Sequence, residues 1–225
     1  MNVVELENVT KDYHLGETTV QALRGISLSL AAGEFAAVWG PSGSGKTTLL
    51  NLIGAIDIPS GGNVRLNGHD LASLDDDRRS DLRNKAIGFV FQNFNLVPVL
   101  SAIENVMLPL QIGGMPGGEA RARAHACLTD VELEKFEEHR PDQLSGGQRQ
   151  RVSIARALST KPALVIADEP TANLDSVTAL KIVDLMRDLN RREKTTFLFS
   201  THDQRLLSHV DRRIELADGL LTAAA

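Results

Sequence analysis

"FAAVWGPSGSGKTTLLNLIGAI", residues 35–56, decides the architecture of this chain. Phe35 to Trp39 read as a short buried strand, and "LLNLIGAI" reads as an apolar helix. Between them, Gly40 to Thr48 fit the spacing G-x-x-x-x-G-K-[ST]. A strand, then this loop, then a helix is the context that gives the spacing its chemistry. Gly40, Gly43 and Gly45 let the backbone turn tightly and point its N–H groups inward, with Pro41, Ser42, Ser44 and Thr48 completing the loop. The following helix turns its positive end toward the same point, which suits a polyphosphate. Lys46 is placed to reach the β and γ phosphates, and the Thr47 hydroxyl to bind Mg²⁺. A glycine-rich turn alone has no need of Lys-Thr at that place.

The flanks extend the same pattern. "NVVELENVTKDY" alternates apolar and polar residues, as a half-buried strand does, and "TTVQALRGISLSL" follows it. "GGNVRLNGHDL" is a hairpin with Asn67-Gly68 as its turn. "DDDRRSDLRNK" reads as a solvated helix, and "AIGFVFQ" as another buried strand. From Asn93 to Arg140 the chain turns helical, broken at "PVLS" and at the loop "GGMPGGE". A helix begins near Ser145, the strand "ALVIAD" follows, and a helix runs from Ser176 to Glu193. Val177, Leu180, Val183, Met186 and Leu189, three residues apart, mark that helix's apolar face. The strand "TTFLFS", a short helix near "QRLLSHV" and a last strand pair around "RRIELADGLL" complete the chain. Strands alternating with helices predict an α/β fold with a mainly parallel sheet covered on both sides.

The apolar run "ALVIADEP" ends in Asp168, which puts a carboxylate at the exit of a buried strand, where Mg²⁺ would sit. Glu169, next in sequence, is placed to orient and polarise an attacking water. Adjacent acids of this kind argue against a small-metabolite kinase, in which an acceptor hydroxyl replaces water.

A second helix start looks anion-seeking. In "LSGGQRQR", Ser145 and Gln148 have capping-box spacing, and Arg151, Ile154, Ala155 and Leu158 continue the helix. Gly146 and Gly147 each cost on the order of 1 kcal/mol against alanine in a first helical turn. Capping does not need them, whereas close approach of a ligand to the backbone does. No acidic residue occupies that first turn, so its positive end is left free for an anion.

Composition bounds the rest. The chain has 225 residues, 42% of them hydrophobic, which suits one large domain or a core with a subdomain. A net charge of −5 argues against general nucleic-acid binding. The one cysteine, Cys127, excludes an internal disulfide, points to a reducing compartment and reads as a small buried side chain. The N-terminus lacks the pattern of a signal peptide, and no run is long and apolar enough to span a bilayer. Another chain is therefore expected to supply any membrane crossing.

"GPSGSGKTT", "LSGGQ", "VIADEP", "ANLD" and "STHD" occur in that order. Together they resemble the ATP-binding subunit of an ABC transporter over nearly the whole chain. "GFVFQNFNLVPVLSAIENVMLPL" is similar to the branch holding lipoprotein-releasing and macrolide-efflux ATPases and their cell-division relative. The resemblance implies a RecA-like P-loop NTPase core with an N-terminal antiparallel β-subdomain and an inserted α-helical subdomain. Residues 1–92 and 159–225 would form the core with its β-subdomain, and residues 93–158 the helical part. It implies ATP and Mg²⁺ as cofactors, Tyr13 stacked on adenine with Val20 beside it, and Gln92 touching Mg²⁺ and the attacking water. It also implies His202 at the γ phosphate and Asp175 working across a subunit boundary. Lys46, Gln92, Glu169 and His202 would be catalytic, and Thr47, Gln92 and Asp168 would hold the metal.

In the resembled family, Ser145, with Gly147 and Gln148, completes the nucleotide site of a second copy stacked head to tail. Hydrolysis is then coupled to closure of the pair. The membrane subunit is expected to dock in a groove near Leu96, Val97, Pro98 and Leu100, and the chain to sit peripherally on the cytoplasmic face of the inner or plasma membrane. An end soon after the last strand favours export or extraction over import. Two other readings stand beside this one. The first is a regulatory subunit that signals through a membrane protein without moving cargo. The second is a soluble relative in DNA repair or translation, which usually carries two ATPase units or long coiled-coil insertions.

Overall fold

The computed structural model describes residues 1–16 and 18–222. In chain order the elements are β1 (Asn2–Leu15), β2 (Thr18–Ala31), β3 (Phe35–Trp39), α1 (Lys46–Ile53), β4 (Gly61–Leu66), β5 (His69–Asp70) and α2 (Asp76–Ala86). They continue with β6 (Ile87–Val90), α3 (Ala102–Ile112), α4 (Gly117–Asp130), α5 (Gly146–Leu158), β7 (Leu164–Ala167) and α6 (Ser176–Glu193). The chain closes with β8 (Thr196–Thr201), β9 (Arg212–Ala217) and β10 (Leu220–Thr222).

Two sheets form. The first is antiparallel, ordered β2-β1-β4-β5, and the second is ordered β10-β9-β3-β8-β7-β6. In the second, β9, β3, β8, β7 and β6 run parallel, and β10 folds back antiparallel on β9. Its strands read as continuous apolar runs because both faces are covered. Phe35, Ala37, Val165, Ala167, Phe197 and Phe199 face one core, shared with α3 to α6. The alternate residues Ala36, Val38, Leu164, Ile166 and Leu198 face the other, shared with α1 and the antiparallel sheet. Period-two alternation therefore assigns each strand residue to a layer. Phe35 sits 5.7 Å from the Phe197 ring and 5.5 Å from that of Phe199. Burying each such ring contributes roughly 1.5–3 kcal/mol. The α3–α5 segment has no separate core; its apolar side is continuous with one face of the sheet.

The fold class expected from sequence is the one observed, including the hairpin β4–β5, where Asn67 (φ 49) and Gly68 (φ 78) make the turn. Helix α2 is solvated, with Asp75 capping its start, Asp76 and Asp77 in its first turn and Arg83 and Lys85 in its last. Those charges complement the helix dipole.

Two sequence readings need correction. Val177 and Leu180 are 61% and 37% exposed, and the buried face of α6 is instead Ala179, Ile182, Val183, Met186 and Leu189. Steps of three residues slip by about 60° each around a helix, so a three-step stripe drifts off the core face. The stretch "GGMPGGE" is a loop only to Pro116, because Gly117 onward already forms the first turn of α4.

Candidate functional site

The loop after β3 is held open as an anion cradle. Gly45 caps α1 at φ 104, a left-handed conformation that favours glycine, with no side-chain cap and no acid in the first turn. A side chain at Gly45 would also bring its Cβ within 2.7 Å of the Ala22 carbonyl oxygen. At Gly40 a Cβ would collide with the carbonyl oxygen of Leu216. Lys46 is 8% exposed, and its Nζ donates to the carbonyls of Gly40 (2.9 Å) and Pro41 (3.0 Å). Among the described residues no carboxylate pairs with it. A buried ammonium matched only by carbonyls is set to receive an external anion.

The ends of β7 and β8 supply the acid wall. Asp168 accepts from the Thr47 hydroxyl at 3.0 Å and from the Ser200 hydroxyl at 2.6 Å. The Ser200 oxygen in turn accepts from the Glu169 N–H at 2.9 Å. Glu169 sits at φ 48, and His202 Nδ1 lies 2.7 Å from its Oε2. A non-glycine residue at positive φ beside reactive groups is strain held by its surroundings. Thr47 and Asp168 offer hard oxygen donors that converge on one point. Among the described residues no group of three or more His, Cys, Asp or Glu side chains gathers for a metal. One carboxylate and one hydroxyl fit Mg²⁺, which keeps waters and takes substrate phosphate oxygens as its other ligands.

These parts open into a cleft of about 700 Å³. Val20, Ser42, Gly43, Gly45, Lys46, Thr47, Thr48, Glu169 and His202 line it. Gly40 and Ser44 are buried behind the loop, and Pro41 is exposed on it. Tyr13 is cross-strand to Val20, its hydroxyl donating to Asp57 (3.1 Å) and its ring lying 5.0 Å from the Lys11 ammonium. Partial burial raises the Asp57 carboxyl, but hydrogen bonds from Lys11, the Ile58 N–H and Tyr13 outweigh it and hold the group below the usual range.

Gln92 is exposed and does not line the cleft; its backbone carbonyl accepts from Asn173 Nδ2 at 2.9 Å. Ser145, Gly147, Gln148 and Asp175 also lie outside it. Asp175 caps α6, and the Thr178 hydroxyl holds its carboxyl below the ordinary range. Sequence reading missed Gln21, Ala22, Arg24, Asp218 and Gly219, which complete the cleft wall. Only the Asp218-Gly219 turn had a local signal. The contacts that bring these residues here are long-range: Arg24 N–H donates to Gly219 O (2.9 Å), and Gly219 N–H to Ser44 O (3.0 Å).

The second helix start forms as expected. Ser145 caps α5 with a complete capping box, its Oγ accepting from Gln148 N–H and Gln148 Oε1 accepting from Ser145 N–H. Ser145 is exposed, and the Gly146 and Gly147 N–H groups have no backbone acceptor among the described residues. The glycines have a reason the sequence did not reveal. A Cβ on Gly147 would lie 2.8 Å from Thr178 Cγ2, so the bare helix surface lets this chain's own segment pack against it.

In the segment Leu96–Leu100, where an apolar groove was expected, Pro98 and Val99 are exposed and Val97 and Leu100 are half-buried. Leu96 packs into the core, and Asn105 holds the neighbouring turn by accepting from Val97 N–H and donating to the carbonyls of Val97, Leu100 and Ser101. A separate groove of about 450 Å³ is lined by Ile56, Phe89, Phe91, Leu108, Pro109 and Ile112, with Arg83 and Arg156 among them. Cys127 is buried, the small buried side chain read from sequence, and burial pushes its thiol up to about 11.

The fold and the cleft define a P-loop ATPase cassette. Residues 23–172 match the family described as ABC transporter. The chain is 49% identical over 221 residues to the lipoprotein-releasing system ATP-binding protein LolD of Anaeromyxobacter dehalogenans, covering 98% of this chain and 92% of that one. It is 48% identical over 223 residues to the macrolide export ATP-binding/permease protein MacB of Syntrophobacter fumaroxidans, covering 98% of this chain and 31% of that protein. It thus spans nearly all of the former relative and about a third of the latter. The solved dimer of the ATP-binding cassette MJ0796, from Methanocaldococcus jannaschii, in a post-hydrolysis state bound to ADP and Pi, superposes with a TM-score of 0.90 at 47% identity. That match covers 99% of this chain and 97% of that one. The chain belongs to the ABC transporter family, as its ATP-binding, ATP-hydrolysing cassette.

Trp39, the sole tryptophan, ends β3 half-buried and directly precedes Gly40. Its emission is expected to change on titration with MgATP. A spectrum unchanged at saturation would remove the coupling between this ring and the loop.

Proposed function

We propose that the chain is the energy-coupling ATPase of a membrane transport complex. Two copies stack head to tail around two ATP molecules and drive export or extraction by a membrane partner. The observation that carries this reading is the separation, on one chain, of the loop cleft from the exposed helix start at Ser145, where the Gly146 and Gly147 N–H groups have no backbone acceptor among the described residues. A single copy leaves that helix start without a ligand, and a head-to-tail pair gives it one.

In this reading the Lys46 ammonium and the first-turn N–H groups of α1 bind the β and γ phosphates. Tyr13 and Val20 bear on the base. Thr47 and Asp168 would hold Mg²⁺, joined by Gln92 as the pair closes. The ion would neutralise charge developing on the phosphates. Glu169 accepts the proton of the attacking water through its carboxylate, and His202, now tied to Glu169, turns to the γ phosphate. Ser145, Gly147 and Gln148 of the partner copy donate to the same phosphate, and Asp175 bridges the boundary. After hydrolysis the copies separate.

Residues 93–158 act as the moving helical part against the core formed by 1–92 and 159–225. The membrane partner docks at the groove of Phe89, Phe91, Leu108 and Ile112, an apolar surface of the kind that marks a partner. The chain then works at the cytoplasmic face of the membrane its partner spans. No helix among the described residues is long and apolar enough to cross one. Under this reading, ATPase activity per chain rises with protein concentration until pairing saturates. Activity per chain that stays flat across the accessible range would contradict it. Cargo movement in a reconstituted complex separates transport from a signalling role.

A further inference from the structure

One buried side chain joins the outward-facing helix start to the catalytic loop. Gln150 lies two residues beyond the capping box of α5 and has no solvent exposure. Its Nε2 donates to the Pro170 carbonyl at 2.7 Å, and Pro170 directly follows Glu169. Its Oε1 is buried with no hydrogen-bond partner among the described residues. The carbonyl fixes the amide's orientation, since a flip would set two oxygens against each other. Leucine or methionine would fill this volume without an unpaired buried oxygen. What glutamine adds is its hold on Pro170.

The first turn of α5 grips the same segment further along. The missing side chain of Gly147 admits Thr178, and that of Gly146 admits Leu174, whose Cδ2 would be 3.3 Å from a Cβ there. Asn173, inside the segment, donates to Gln92 O and Asn93 Oδ1, both at 2.9 Å. Residues 169–178 therefore ride on α5, attached at Pro170 and again at Leu174–Thr178. The Glu169 backbone, at φ 48, depends on such attachments to hold its conformation.

We propose that Gln150 is a positioning residue that transmits the seating of a nucleotide at Ser145 to the backbone of Glu169 in the same chain. Each copy's Glu169 then reads the site that its own α5 completes on the partner. The inference rests on the head-to-tail pairing proposed above. Gln150 is fully buried and does not line the cleft, so its effect falls on kcat and on cooperativity between sites, not on ATP affinity.

The test uses Gln150→Met and Gln150→Leu in the full chain. Calorimetric ATP affinity and the unfolding midpoint are expected to hold, KM to move little, and kcat to fall on the order of tenfold to a hundredfold, as for a misplaced reacting group. The Hill coefficient for MgATP hydrolysis is expected to drop toward one. A kcat equal to that of the unaltered chain overturns the proposal. So does a loss of kcat accompanied by lost affinity and a lowered midpoint, which would make Gln150 merely structural. If the unaltered chain itself hydrolyses without dependence on protein concentration, the pairing fails and the proposal with it. If that dependence is present and the Gln150 variants behave normally, only the proposal fails.

Discussion

Glu169→Gln is expected to lower the turnover of ATP by roughly a hundred- to ten-thousandfold, the span that general-base catalysis contributes. ATP binding should be untouched. The substitution keeps the side chain's shape and its reach to His202, 2.7 Å away, and leaves the Lys46 cradle and the Thr47–Asp168 pair as they were. It removes only the ability to accept a proton. A chain that binds but does not hydrolyse cannot discharge the nucleotide that holds two copies together, so the variant should accumulate as an ATP-bound pair. Size-exclusion chromatography with and without MgATP, beside single-turnover hydrolysis, reads both effects. Full activity in this variant would remove Glu169 from the chemistry and pass the role to another group on the acid wall.

The architecture was legible because its signals were local and redundant. The strand Phe35–Trp39, the glycine loop and the helix that follows each announce themselves within a few residues. The other central strands are apolar runs bounded by turns, and the capping box read at Ser145 forms. The phosphate end of the site was legible for the same reason, since one stretch carries most of it.

What stayed hidden came from long-range packing. Nothing near Arg24 or Gln21 shows that β2 lies against the Asp218-Gly219 turn and so walls the cleft. The need for Gly147 was visible but its cause was not, because Thr178 is distant in sequence and meets it only in the fold. Gln150 reads as one polar residue among several in "GGQRQR", and only its burial against Pro170 separates it from its solvated neighbours. The groove lined by Phe89, Phe91, Leu108 and Ile112 was hidden as well, because nothing in the sequence brings the segment around β6 against α3.

The second large effect concerns Ser145. Ser145→Arg should cost at least about a hundredfold in hydrolysis, comparable to removing an oxyanion donor. It should spare ATP affinity, because Ser145 does not line its own chain's cleft. Loss of binding would instead mean a damaged fold. Lys46→Ala should also be inactive, through loss of the ammonium proposed to bind the phosphates.

Mixing these two inactive chains is the most direct test of the pairing. In a mixed pair, one site combines an intact Lys46 loop with an intact Ser145 helix, while the other carries both lesions. Random pairing makes half of the pairs mixed, with one of two sites whole, so about a quarter of all sites should be intact. Hydrolysis approaching about a quarter of the unaltered rate on mixing, from two chains each inactive alone, is the result expected of shared sites. No recovery in a mixture shown by native mass spectrometry to contain mixed pairs would contradict the account.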